Sequence, residues 1–180
     1  MPPSSAFTLK SSGGLFTALM TKVEIAIAFD PATTNPYPPA KEYLALWDTG
    51  ATGTVITKKI ADDLGLKPIG IAEVHHADGM TRRSVYLVNI MLPHKVGFKH
   101  VRVIEGTLNG FDVLVGMDII SQGDFSVTNA NGYTVFSFRS PSVKHIDYVE
   151  QANKVSAPIQ TQNSLCHCGS GKKYKRCHGK

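Results

Sequence analysis

A single acidic turn constrains this chain more than any other feature. In Leu46-Trp47-Asp48-Thr49-Gly50-Ala51-Thr52-Gly53-Thr54-Val55-Ile56 an apolar run delivers a carboxylate to a glycine-containing turn, and the chain leaves as a second apolar run. Strands are predicted over Tyr43–Trp47 and Thr54–Thr57 on either side. A carboxylate at the tip of two buried strands is fixed in place, and Gly50 opens backbone conformations closed to other residues. Such a group acts as a base on water when a second carboxylate shares its proton. Two carboxylates in contact cannot both ionise cheaply, so one serves as base and the other as acid. The pair owns both apparent pKa values. The motif occurs once, with no repeat of its surroundings. A catalytic Asp48 therefore needs Asp48 of a second copy, on the axis of a two-fold homodimer.

The remaining pattern predicts a mainly-β body over residues 21–140. Thr21–Phe29 alternates as a strand, and Asp30–Pro39, with four prolines, reads as a loop. Lys58–Leu66 has helical spacing with Gly65 as its stop. Ile71–Leu92 reads as a long hairpin with arms at Ile71–Val74 and Ser84–Met91 and a turn at Asp78-Gly79. Phe98–Ile104 and Phe111–Val115 are further strands. Asp118–Ser121 begins a short helix that Gly123 closes, with Asp118 expected as its N-cap. Phe125–Val127 and Tyr133–Phe138 form a hairpin across Asn129–Gly132. Residues 1–20 are expected to fray, and 141–164 reads as a linker with a helical turn near Asp147–Val155.

Asp48-Thr49-Gly50-Ala51, preceded by apolar residues, resembles the active-site loop of retroviral-type aspartic proteases. An Asp before Gly is common in ordinary turns, so the resemblance rests on two further features in order. The hairpin around Ala77-Asp78-Gly79-Met80 falls where that family has its flap. Leu114-Val115-Gly116 matches its apolar-apolar-Gly signature before the C-terminal helix, and Gly116-Met117-Asp118-Ile119-Ile120 is similar to the version in bacterial and other non-viral relatives. The resemblance covers about 120 residues. It implies a single-lobe, retropepsin-like closed β-barrel with a short C-terminal helix. It also implies Asp48 as the catalytic carboxylate, Thr49 locking the two loops across the dimer, and Gly50 and Ala51 supporting the loop. Leu114, Val115 and Gly116 would pack beneath it. Thr52 departs from the acid that viral enzymes often carry there. Asp48-x-Gly50-x-x-Gly53-Thr54 also resembles the phosphate loop of actin-like ATPases, but that fold needs two large α/β domains for which 180 residues are too few. Pepsin-like enzymes carry two such loops in one chain, and this chain has one. His75 and His76 are adjacent, so a strand would point them to opposite faces rather than at one metal.

The three cysteines cluster at the end, in Cys166-His167-Cys168-Gly169-Ser170-Gly171-Lys172-Lys173-Tyr174-Lys175-Arg176-Cys177-His178. Three thiolates and an imidazole suit four-coordinate zinc, and so short a segment has almost no core of its own. The stretch resembles the SEC-C motif found at the C-terminus of the translocase motor SecA. That implies Cys166, Cys168, Cys177 and His178 as ligands of a structural zinc, with His167 facing solvent. Residues 164–180 hold five of the 19 Lys and Arg and no acid, so the other 14 basic groups balance the 14 acidic ones. The pI near 9.1 thus describes the tail. Its basic face suits a protein partner or, in second place, nucleic acid.

The expected function is a homodimeric aspartic endopeptidase acting on a peptide or protein substrate, without a cofactor in catalysis, its zinc-stabilised tail (165–180) recruiting partner or substrate. The competing reading is a catalytically silent dimerisation or peptide-binding module whose tail is the adaptor. No apolar run approaches the roughly 18–20 residues that cross a bilayer. The poor signal-peptide character of the N-terminus adds the expectation of a cytoplasmic protein.

Overall fold

The computed structural model describes residues 5–76, 79–156 and 161–179. It forms two compact units, Met1–Val143 and Lys144–Lys180. In the first, strands β1 (Ser5–Lys10), β2 (Met20–Ile27), β3 (Lys41–Trp47) and β4 (Val55–Thr57) precede helix α1 (Lys58–Leu64). Strands β5 (Gly70–His76), β6 (Gly79–Leu92), β7 (Val96–Gly106) and β8 (Val113–Val115) lead into the one-turn helix α2 (Met117–Ile120). Strands β9 (Asp124–Thr128) and β10 (Val135–Ser140) complete the unit.

Alternation of apolar and polar residues drives this arrangement. In β2, Val23 and Ile25 are buried while Lys22 and Glu24 are exposed, the period-2 signature of a strand with one face on a core. The large sheet runs β2-β3-β8-β4-β7-β6-β5, and β2 also pairs with β6. That extra pairing closes six strands into a barrel and removes their free edges. Strand β5 lies outside the ring as the second arm of the β5–β6 hairpin. Helix α1 stops where expected: Gly65 takes the left-handed conformation (φ 61°), which a glycine adopts without the steric cost other residues meet.

The expectation of a frayed N-terminus is overturned. Residues 5–10 form β1, paired with β10 in a three-stranded sheet β1-β10-β9. The reason is Phe7, which is 3% exposed and packs its ring 5.6 Å from Phe136 and 5.8 Å from Trp47. Proline and serine content before it gives no sign of that anchor. The aromatic cluster of Phe7, Trp47, Phe125, Phe136 and Phe138 ties the small sheet to β3, whose last residue is Trp47. The Trp47 indole N–H donates to Thr21 Oγ1 at 3.0 Å, so its one polar atom is satisfied inside the core. Two further strands differ in length from the sequence reading. β6 extends back to Gly79, and β8 is confined to Val113–Val115, although the Asp112 backbone still bonds to Leu44 and Thr57 on either side.

The second unit contains helix α3 (Tyr148–Ser156), where the helical turn was expected. The Asp147 carboxylate caps it, accepting from the Val149 and Glu150 N–H groups at 2.8 and 3.0 Å. A compact knot over 161–179 follows.

Phe136→Ala is expected to destabilise the first unit by about 3–5 kcal/mol, the usual cost of truncating a buried phenylalanine. Urea unfolding followed by the emission of Trp47, the only tryptophan, measures it.

Candidate functional site

The Asp48 turn is built by threading one strand between two others. β8 runs parallel to β3, with Leu46 opposite Leu114 and Trp47 opposite Val115, and antiparallel to β4, with Val55 opposite Leu114. The 48–54 turn therefore straddles the end of β8. The Asp48 N–H donates to the Val115 carbonyl at 3.0 Å, and the Met117 N–H donates to the Ala51 carbonyl at 2.8 Å. Gly116 is the point of closest approach. A Cβ there would lie 2.6 Å from the Gly53 carbonyl and 3.0 Å from the Ala51 oxygen, both backbone atoms with no room to yield. The apolar-apolar-Gly triplet thus has a physical meaning: Val115 fills the core at 0% exposure, half-buried Leu114 backs the turn, and Gly116 lets two loops touch.

Asp48 is half-buried, and its Oδ1 accepts the Gly50 N–H at 2.8 Å, which sets the carboxyl's orientation. Thr49 and Gly50 are exposed, and Ala51 is half-buried. Ala77 and Asp78, expected as part of a flap, lie outside the described residues. Gly79 pairs with His76 at the head of the hairpin, and Met80 is 53% exposed. The structure brings Asp48, Thr49, Gly50 and Ala51 together with Leu114, Val115 and Gly116.

Asp118 is not the N-cap of α2. Gly116 holds that position without a side-chain cap, and Asp118 sits in the first turn. Its carboxylate reaches across to the other loop, accepting from the Thr54 N–H at 3.0 Å and the Thr54 hydroxyl at 2.8 Å. The same hydroxyl oxygen accepts the Gly116 N–H at 3.3 Å. Thr54 is fully buried, so this network is a clamp between the two halves of the turn. Sequence reasoning missed it because the partners are 64 residues apart and each has a sufficient local explanation.

In the second unit, donor atoms of Cys166, Cys168, Cys177 and His178 all lie within 4.8 Å of one another. Cys168 Sγ is 3.5 Å from Cys177 Sγ, and His178 Nδ1 is 3.2 Å from Cys166 Sγ and 3.3 Å from Cys177 Sγ. A tetrahedron with metal–sulfur bonds of about 2.3 Å and a metal–nitrogen bond of about 2.0 Å has edges of roughly 3.5–3.8 Å, so the donor set fits a four-coordinate ion. Hydrogen bonds from Ser170 and then the neighbouring cysteines pull the Cys168 thiol down to about 6, which favours the ligating thiolate. Gly169 and Gly171, at φ 74° and 68°, reverse the chain between ligand pairs. The Cys166 N–H donates to the Lys172 carbonyl at 2.8 Å, which brings the two arms together. His167 is exposed, its ring stacked 5.8 Å from that of His178. Lys172, Lys173, Lys175 and Arg176 are all exposed.

Residues 40–122 match the family model described as gag-polyprotein putative aspartyl protease. Residues 163–180 match the SEC-C motif. Comparison with curated protein sequences returns no match. Among solved structures, the chain is similar to a retropepsin-like aspartic protease from Rickettsia conorii, with 11% identity and a TM-score of 0.47 over 77% of this chain and 96% of that one. It is also similar to the Simian Foamy Virus (mac) protease, with 17% identity and a TM-score of 0.40 over 57% of this chain and 92% of that one. A third is the retroviral protease-like domain of Ddi1 from Leishmania major, with 18% identity and a TM-score of 0.35 over 65% and 93%.

Asp118→Ala leaves the buried Thr54 N–H and hydroxyl without their acceptor. The expected loss is about 1–3 kcal/mol in chemical denaturation. Combined with Thr54→Val, it is expected to fall short of the sum of the single variants by at least about 0.5 kcal/mol, because both cut the same clamp.

Proposed function

We propose that this chain, a retropepsin-like aspartic protease domain followed by a SEC-C motif, is one half of a homodimeric endopeptidase whose two Asp48 carboxylates activate water. The observation that carries this reading is the Asp48 turn itself. A half-buried carboxyl is held rigidly by the Gly50 N–H and by the pairing of its own backbone with β8. Other acids near this turn are committed elsewhere: Asp118 to Thr54, and Glu105 to the Tyr86 hydroxyl at 2.8 Å. A second copy is the natural source of the second carboxylate, and exposed Thr49 and Gly50 are free to meet it.

In that dimer the two carboxyls share one proton. The ionised one takes a proton from water, which attacks the peptide carbonyl carbon. The neutral one gives its proton to the carbonyl oxygen. Transfer of a proton to the amide nitrogen then lets the carbon–nitrogen bond break. In this reading the β5–β6 hairpin would be the flap that covers a bound peptide.

The four donors of the tail would hold a zinc ion in a closed, structural site. The exposed lysines and Arg176 suit an acidic protein partner or substrate, which a tethered module brings to the catalytic body at raised local concentration. Three free cysteines fit a reducing compartment, in keeping with a cytoplasmic location.

Asp48→Asn is expected to abolish peptide cleavage while circular dichroism and the dimer mass from light scattering stay unchanged. Undiminished turnover in that variant would sink the mechanism. A strict monomer at high concentration, inactive from acid to neutral pH, would favour the silent binding module instead.

Elemental analysis is expected to find about one zinc per chain in the native protein and markedly less in Cys168→Ser. Chelation should expose all three thiols to a thiol reagent. Thiols equally reactive before and after chelation would contradict the four-ligand site.

A further inference from the structure

The face that the β5–β6 hairpin turns toward the Asp48 loop follows from strand register. On β6, Val85 pairs with Ile104 of β7, and Ile104 pairs with Val55 of β4, so these three side chains share one face. Side chains alternate along a strand, so Arg83, two residues before Val85, lies on that face as well. Arg83 pairs with Ala72, and Val74 follows two residues on along β5. Val55, Val74, Arg83, Ile104 and Leu108 line a cavity of about 450 Å³ with the 50–53 turn as its floor.

Thr52 and Thr107 add hydroxyls to a mostly apolar lining that holds two charged residues, and those two differ. Glu105 follows Ile104, so its side chain leaves on the opposite face, where the Tyr86 hydroxyl binds it. Arg83 faces the cavity and is half-buried. Its neighbour Arg82 points to the other side of the hairpin and pairs with Glu73 at 3.5 Å. Among the described residues, no carboxylate pairs with Arg83 and no hydrogen-bond acceptor holds it. A half-buried arginine without a counter-charge, beside apolar side chains, is a ready receptor for a carboxylate, which a guanidinium binds through two parallel hydrogen bonds.

We infer that Arg83 is a specificity-determining residue that selects peptides carrying an Asp or Glu side chain next to an apolar residue near the cleaved bond. The inference rests on the protease reading of the Asp48 turn. In a two-fold dimer each half-cleft carries its own Arg83, so the acidic preference extends to both sides of the bond. Lysine or arginine in the same position meets like charge and is disfavoured.

Matched peptides that differ only by Glu against Gln, scanned through three positions on each side of the bond, test this with the full-length protein. The expected result is at least one position where wild type favours Glu on the order of tenfold in kcat/KM, the discrimination of one partly desolvated ion pair. The ratio should fall toward one in Arg83→Gln and turn to favour Lys over Glu in Arg83→Glu. Equal treatment of Glu and Gln at every position overturns the inference. The wild-type comparison needs no variant, so a variant that does not fold leaves the test intact. Anisotropy binding of the same labelled peptides to Asp48→Asn separates the two readings. Preferential binding of the Glu peptide without any cleavage by wild type keeps Arg83 and removes the protease. Cleavage without acidic preference does the reverse, and neither binding nor cleavage overturns both.

Discussion

The Asp48 turn exists because two loops touch at backbone distance. Gly116 faces the Gly53 carbonyl at a separation no side chain tolerates, and around that contact every other feature of the site is arranged. β8 can then slot between β3 and β4, parallel to one and antiparallel to the other. The Asp48 N–H finds the Val115 carbonyl, and the Met117 N–H finds the Ala51 carbonyl. The Thr54–Asp118 clamp closes the same junction from the other side. An acidic side chain on a flexible loop would sample many orientations. Here the residue before it is fixed in the Trp47 aromatic cluster and the residues after it in this interlock, so the folded chain itself sets where the carboxyl sits.

Much of this was legible in the sequence because it is local. The Asp48 turn announces itself through two apolar strands and Gly50, and the Cys166–His178 spacing through its clustered donors. Helix α1 ends at Gly65 because a left-handed residue was needed there. What stayed hidden depends on distant partners. β1 becomes a strand only because β10 offers Phe138 opposite Phe7. Asp118 binds Thr54 rather than capping its own helix because threading β8 brings the two loops together. No single-sequence pattern encodes either contact. Arg83 is a middle case: period-2 alternation from Val85 was available, but which face of the hairpin meets the Asp48 loop follows only from the β4–β7 and β6–β7 pairings.

The two units solve the stability problem in different ways. The first buries a continuous core from Phe7 to Phe138, and the hydrophobic effect holds it. Residues 161–179 bury little. Cys166 is 4% exposed, but Leu165 is 67% exposed, and the half-buried Tyr174 ring lies beside Gly179 and His167. Such a segment gains little from burial to set against its ordering entropy, and its clustered Cys and His donors are compatible with a zinc ion that would supply the difference. The charge follows the same division. The body balances its acids and bases, and the excess of lysine and arginine sits on the segment that carries the Cys and His cluster.

That division bears on how the body, in the proposed protease reading, would recognise a peptide. A formally neutral body gives little long-range steering, so selectivity at the Asp48 cleft has to come from groups placed at short range. Apolar walls alone discriminate weakly, because neighbouring apolar side chains differ by only a methylene or two. A single oriented charge in such a wall discriminates more, since the wrong partner leaves it desolvated and unpaired. Arg83 is the charged side chain that register aims at this cavity, while Glu105 is held away by Tyr86 and Arg82 is neutralised by Glu73 on the far face. The body thus keeps its net charge near zero and still presents, among the described residues, an unpaired arginine beside the turn that carries Asp48.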